Sequence, residues 1–276
     1  MHLNLLHLGR VPYAEGLAIQ QRVVAARKAG VIGDALLLVE HPPVLTLGRN
    51  AHRSNVLASD EFLAARGIEL HEINRGGDVT YHGPGQLVGY PILDLRGEWP
   101  GKKGPHLGPV DYVRMIEDTL IRVCGEFGVM AQRICGLTGV WTLTGGSVPE
   151  KKIAAIGVHV SAGVTSHGFA LNVNTNLDYF KLIVPCGITD KPVTSLEHEM
   201  AQSSLSRGRK VPALDDLSQQ VARNFGRVFE AQTLWLESLD ALFASSHDTT
   251  PANQDMPASA PEKIRRLASE EDTFLV

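Results

Sequence analysis

The chain has 276 residues, 43% of them apolar and 20% charged, an ordinary globular composition with enough length to bury a substantial core in one or two domains. A formal net charge of -4 excludes a polyanion binder built on overall charge, so attraction to a charged partner must come from local patches. The three cysteines, Cys124, Cys135 and Cys186, are odd in number and form no paired zinc spacing, and residues 1–10 do not read as a basic segment followed by an apolar run. With no apolar stretch long enough to span a bilayer, the expectation is a cytoplasmic protein that binds neither membrane nor nucleic acid.

Residues 13–29 read as a helix ended by Gly30, with Leu17 and Val24 on one face and Ile19 and Val23 on another. Residues 34–40 read as a buried strand, His41-Pro42-Pro43 as a turn and residues 44–47 as a second short strand. A short helix over 60–66 is capped by Ser59 or Asp60, and residues 69–73 alternate as a strand. Residues 75–86 are rich in glycine. Residues 87–95 form an apolar strand whose Pro91 predicts an edge or a bulge.

Residues 96–108 read as a surface loop. The clearest helix spans 109–127, with Tyr112, Ile116, Leu120, Val123 and Phe127 on one face. Residues 140–143 are strand-like, 144–150 a turn, and 152–160 with 168–173 an antiparallel hairpin. A last amphipathic helix covers 215–229. These elements predict an α+β fold with a mixed sheet, since strict βαβ alternation and a dinucleotide fingerprint are both missing. The catalytic domain is expected at 1–244 and a flexible C-terminal tail, rich in Ser, Pro and Ala, at 245–276.

Three places hold residues suited to chemistry. Cys186 sits between Pro185 and Gly187, a setting unlike that of Cys124, which neighbours the apolar stripe of its helix. A nucleophilic cysteine needs a cation, a base or a helix N-terminus nearby to hold its thiolate. Lys152, at the head of an otherwise apolar strand, is a candidate: an ammonium about 4 Å away would contribute roughly 4 kcal/mol at an effective dielectric near 20. The alternative is that Lys151 and Lys152 are two solvated charges at a strand start. The glycine-rich run lacks the Gly-Lys-Ser/Thr ending of a phosphate loop, and the histidines lack a metal-binding spacing.

Taken together these segments resemble the lipoyl(octanoyl) transferase family of lipoate biosynthesis. The resemblance is carried by Arg75-Gly76-Gly77-Asp78-Val79-Thr80-Tyr81-His82-Gly83-Pro84-Gly85-Gln86, by residues 151–158 (Lys-Lys-Ile-Ala-Ala-Ile-Gly-Val) and by residues 167–174 (His-Gly-Phe-Ala-Leu-Asn-Val-Asn). It continues through Val184-Pro185-Cys186-Gly187-Ile188 and covers about residues 4–230. It implies a mainly antiparallel mixed sheet flanked by helices, as in biotin and lipoate protein ligases.

The resemblance also implies roles. Cys186 matches the nucleophile that carries the acyl group as a thioester, and Lys152 the lysine that lowers its pKa. Arg75, Gly76, Gly77, Asp78, Val79, Thr80, Tyr81 and His82 match an acyl-substrate segment, as do Ala154, Ala155, Ile156 and Gly157, and His167, Gly168 and Phe169. Ala154, Ala155 and Gly157 are small enough to leave an apolar slot for the chain.

The implied reaction moves an octanoyl group from octanoyl-acyl carrier protein to a lysine of apo lipoyl domains, those of 2-oxoacid dehydrogenase E2 subunits and of the glycine cleavage H protein. It needs no cofactor and no metal, and a monomer suffices. Lys102, Lys103, Arg207, Arg209 and Lys210 are basic residues available to an acidic carrier or simply solvated. Two alternatives stay open: an ATP-dependent lipoate ligase, which would require ATP and magnesium with a free acid, and a non-enzymatic acyl- or carrier-binding module.

Overall fold

The computed structural model of the chain describes residues 1–97, 99, 104–143, 149–184, 192–244 and 272–275. The strand β2 (Asp34–Glu40) shows how the layers form. Leu36 and Leu38 face a core shared with the helices α3 (Pro109–Glu126) and α5 (Leu214–Val228), whereas Ala35, Leu37 and Val39 face a second core beneath α1 (Tyr13–Lys28). Both faces of the strand are covered, so its sequence is a continuous apolar run without alternation.

The large sheet follows the order β11 (Gln232–Trp235), β1 (His2–Arg10), β2, β6 (Gln86–Ile92), β10 (Val164–Asn172), β9 (Lys152–Ser161), β8 (Leu137–Thr142) and β7 (Ala131–Ile134). β1 runs parallel to both β2 and β11, and the other pairings are antiparallel. A smaller sheet joins β3 (Val44–Leu47) to β4 (Glu69–Glu72) in parallel and to β5 (Val79–His82) antiparallel. The short helix α2 (Asp60–Ala65) closes its own core, where Leu45, Leu63 and Tyr81 meet, and Ser59 caps that helix by accepting from the Phe62 N–H. Among the described residues α4 (Leu196–Gln202) and α6 (Leu239–Ala244) complete the α-helices. The result is the α+β, mainly antiparallel architecture expected. Among the described residues no helix is long and apolar enough to cross a membrane.

The expected hairpin at 152–173 is β9 and β10, closed by Ala162 and Gly163, both at positive φ as a tight two-residue turn requires. Pro91 lies in a central strand, not at an edge. Its nitrogen faces β10, where it would have paired with His167, and there the ladder opens: His167 turns to a φ of 57°. Pairing resumes in the same register at Thr165, whose N–H donates to the Leu93 carbonyl and whose hydroxyl donates to the Pro91 carbonyl. At Pro91 the partner strand has turned its backbone away, and the His167 N–H donates to Gln20 of α1 instead.

Other expectations change. α1 buries Val23, as its apolar spacing with Ile19 indicated, together with Tyr13, Gly16 and Gln20, which the spacing of Leu17, Ile19, Val23 and Val24 did not indicate. The stretch 96–108 is not wholly surface: Trp99 and Leu107 are buried, and the Trp99 ring lies edge-on to Phe229. The strand β5 falls inside the glycine-rich run, and β7 was not foreseen. Lys102, Lys103, most of the 144–150 turn and Cys186 lie outside the described residues, as do residues 245–271 of the tail. The strand β12 (Asp272–Leu275) pairs with β9 along Val158–Ser161, where β8 no longer accompanies it.

Candidate active site

Where the small sheet meets β9 and β10, the two enclose a cavity of about 240 Å³. Its walls include Arg75 to Thr80 and His82 from one side, and Ala155, Ile156, Gly157, His167, Gly168 and Phe169 from the other. Residues far apart in the chain thus converge on one space. Tyr13 from α1, Gln86, Val88 and Tyr90 from β6, and Lys152 with Trp141 complete much of the lining.

Arg75 builds the junction. Its guanidinium donates to the Thr46 carbonyl (2.8 Å) and the Gly76 carbonyl (2.9 Å), and the Gly76 N–H donates to the Val158 carbonyl of β9 (3.0 Å). This approach is close enough that a Cβ on Gly157 would stand 2.8 Å from the Gly76 oxygen, so only glycine fits there. Gly168 meets the same constraint on β10, where a Cβ would strike the Gly89 carbonyl and the Pro91 ring.

Asp78 acts inside the wall. One carboxylate oxygen accepts the Val79 N–H and the other the Asn55 side-chain amide, both at 2.7 Å. The Asn55 carbonyl in turn accepts the N–H of Val184 (2.8 Å), the last described residue before 185–191. On the far side of that stretch the Lys152 N–H donates to the Pro192 carbonyl (2.8 Å), and the Thr194 N–H donates to the Lys152 carbonyl (2.9 Å). The chain that carries Cys186 is therefore held before it by Asn55 and after it by the backbone of Lys152. The Lys152 ammonium lies 4.7 Å from the centre of the Trp141 ring.

The imidazoles and the Tyr13 phenol of the wall are kept neutral. Burial, with Arg75 and the other histidines adding to it, pushes the His82 imidazole down to about 3, and burial and Arg75 do the same for His167. Burial raises the Tyr13 phenol to about 12. His41 is also lowered by burial; its Nδ1–H donates to the Val11 carbonyl (2.7 Å), so its Nε2 accepts from the Tyr90 hydroxyl (2.8 Å). His167 bonds Asn74 through Nε2 (2.8 Å), and its backbone N–H donates to Gln20 (2.9 Å). Mostly apolar walls, a lysine beside an indole and neutral polar groups suit an acyl chain with a reactive end.

Two expected residues stand back from the cavity. Tyr81 stacks on Tyr179 at 4.8 Å in the small-sheet core, and Ala154 is fully buried in the main core. Sequence reasoning missed Tyr13, Tyr90, Trp141 and Phe180, which belong to separate elements and carry no local signal. Gln86 and Asn172 stood within the quoted motifs, and the positions of Gln86 beside His82 and of Asn172 on β10 were legible there.

Residues 12–226 match the family model described as the lipoyl protein ligase A/B catalytic domain. An octanoyltransferase of Acidobacterium capsulatum is 64% identical over 240 residues, 86% of this chain and 94% of that protein. An octanoyltransferase of Koribacter versatilis is 54% identical over 99% of both chains. Among solved structures, a putative lipoate protein ligase from T. acidophilum with bound lipoic acid superimposes with a TM-score of 0.64 at 14% identity, covering 90% of this chain and 94% of that one. A lipoate-protein ligase A bound with ATP gives 0.61 at 15% identity, over 90% and 95%. These two likenesses are of fold.

Proposed function

This chain belongs to the lipoyl protein ligase A/B catalytic-domain family as an octanoyltransferase, an acyltransferase of protein lipoylation, and from that premise we propose that it works through a thioester on Cys186 with octanoyl-acyl carrier protein as donor. The observation that carries the reading is that three of the four motif segments line one cavity, while the described residues flanking the fourth, Val184 and Pro192, are bonded to Asn55 and to the backbone of Lys152.

The Cys186 thiolate, stabilised by the Lys152 ammonium, attacks the thioester carbonyl. The carrier's thiolate leaves and takes a proton from Lys152, so octanoyl-Cys186 faces a neutral lysine. The amine of the acceptor lysine then attacks, its proton passes to Lys152, and the Cys186 thiolate departs from the new amide. Each thiolate that leaves is balanced by one proton on Lys152. A thioester is already activated, so the scheme needs no ATP, metal or cofactor. Apo lipoyl domains of 2-oxoacid dehydrogenase E2 subunits and the glycine cleavage H protein are the acceptors, the enzyme acts as a cytoplasmic monomer, and the transfer is the first step of endogenous lipoylation.

Arg75, the glycine turn, Ala155, Ile156, Gly157 and the segment 167–169 bind the octanoyl chain. The catalytic domain spans 1–244. Mass spectrometry after mixing with octanoyl-acyl carrier protein tests the scheme: the wild type gains one octanoyl group and Cys186→Ser gains none. Normal transfer by Cys186→Ala would refute it, and a requirement for ATP with free octanoate would replace it with a ligase reaction.

A further inference from the structure

A chain of side-chain amides crosses the cavity wall, and its direction is fixed at both ends by backbone carbonyls, which only accept. The Asn172 amide nitrogen donates to the Thr194 carbonyl (2.9 Å), which leaves the Asn172 oxygen to accept from the Gln86 amide nitrogen (2.9 Å). That nitrogen also donates to the Tyr81 carbonyl (3.1 Å), so the Gln86 oxygen faces His82 and meets its Nδ1 at 2.8 Å. An amide oxygen only accepts, so Nδ1 must carry the ring proton. His82, Gln86 and Asn172 are all buried, and the His82 ring lies parallel to Tyr13 at 6.0 Å, which fixes its plane.

From this chain we infer that Gln86 and Asn172 are positioning residues that lock His82 in its Nδ1–H tautomer, and that the Nε2 lone pair it presents to the cavity receives an N–H of the acceptor lysine as a hydrogen-bond acceptor, not as a base. Neutral imidazole carries one proton, so Nε2 is bare. His82 is held neutral by burial and by Arg75, His41 and His167 around it, and an imidazole that resists protonation this strongly does not take the proton in the step. A bare acceptor selects its ligand by chemistry. The octanoyl thioester presents a carbonyl oxygen and methylenes, neither of which donates, whereas the attacking amine carries N–H groups. Holding one of them fixes the direction of the amine lone pair, and the departing proton goes to Lys152.

The inference rests on the octanoyl-transfer reading, and two measurements separate their failures. Long-range ¹H–¹⁵N correlation spectra of ¹⁵N-histidine-labelled protein, with His82 assigned by its loss in His82→Asn, should give a protonated Nδ1 and a bare Nε2 that do not titrate between about pH 5 and pH 8. Gln86→Leu and Asn172→Leu should each change that pattern. A protonated Nε2 in the wild type, or an unchanged pattern in both variants, would overturn the tautomer lock whatever the enzyme's activity.

In single-turnover experiments Gln86→Leu and Asn172→Leu should slow transfer of the octanoyl group to the lipoyl domain about tenfold or more beyond any change they cause in thioester formation. Equal slowing of both half-steps would overturn the assignment to the amine. If Cys186→Ala still transferred octanoate, the thioester reading would fail while the tautomer result stood.

Discussion

Lys152 extends its ammonium over the face of Trp141, 4.7 Å from the ring centre, while its backbone N–H and carbonyl bond Pro192 and Thr194. One residue thus holds the chain returning from Cys186 and presents a cation whose direction an indole sets. Such a contact is worth about 1 kcal/mol.

Trp141→Leu should therefore remove this contact from the ammonium and slow octanoyl transfer by roughly three- to tenfold. The pH at which iodoacetamide half-modifies Cys186 should rise, and Trp141→Phe should restore most of both. Lys152→Ala should move the alkylation profile further in the same direction. An alkylation profile identical to wild type in Trp141→Leu would show that the ring does not set the cation.

The buried histidines predict how stability depends on pH. The unfolded value is 6.5, and the folded His82 and His167 stand at about 3. Above pH 6.5 both states are neutral and these groups favour neither. As pH falls below 6.5 the unfolded chain takes up protons that the folded chain refuses, so stability declines down to about 3. Each histidine contributes a slope that approaches about 1.4 kcal/mol per pH unit well below the unfolded value. Urea denaturation should show the midpoint dropping from pH 7 toward pH 5, before most carboxylates titrate, and His82→Gln should flatten that dependence. An equally steep fall in His82→Gln would assign it to other groups.

Gly157 is set by contact, not by turn geometry. Gly157→Ala would place a methyl 2.8 Å from the Gly76 carbonyl and against the Arg75 side chain, both parts of the junction between the sheets. The substitution should cost about 1–3 kcal/mol in thermal or urea denaturation. It should also raise the concentration of octanoyl donor needed for half-maximal rate, because the wall moves into the acyl slot. Wild-type stability together with unchanged donor dependence would mean that the junction has slack.

Much of the frame was legible because burial on both faces writes a simple pattern. The run Ala35-Leu36-Leu37-Leu38-Val39 reads as a buried strand and is covered on both faces, and Ser59 or Asp60 marked a helix start that Ser59 caps. The site was less legible because its geometry depends on pairs that sequence does not join. Pro91 signalled an irregularity, but only the register of β10 shows that the irregularity belongs to His167. In α1 the buried face is Tyr13, Gly16, Gln20 and Val23; hydrophobic spacing marked only Val23, while Gly16 and Gln20 are set by His41 and the His167 backbone. Trp141 stands on β8, a strand whose start was hidden among Gly136, Thr138 and Gly139.

Glu117 supplies a last prediction. It is fully buried on α3, where one oxygen accepts from Arg114 (2.7 Å) and Arg133 (3.0 Å) and the other accepts the Gly139 N–H (3.0 Å). Gly139 lies beneath the Lys152 stem, close enough that a Cβ there would stand 3.5 Å from Cε. The carboxylate therefore fastens the β7–β8 hairpin to α3 and fixes the floor on which Lys152 rests. Glu117→Ala would strand a buried N–H and take the carboxylate from Arg114 and Arg133, at a cost of about 3 kcal/mol, moderated because both arginines reach solvent and Arg133 keeps Asp118 and the Arg114 carbonyl. Glu117→Gln keeps an oxygen for Gly139 and should lose roughly half as much. Octanoyl transfer should fall in the same order, Ala below Gln below wild type, and the denaturation midpoint should fall with it. If the midpoint followed that order while transfer stayed at the wild-type rate in both variants, Lys152 would not depend on this floor.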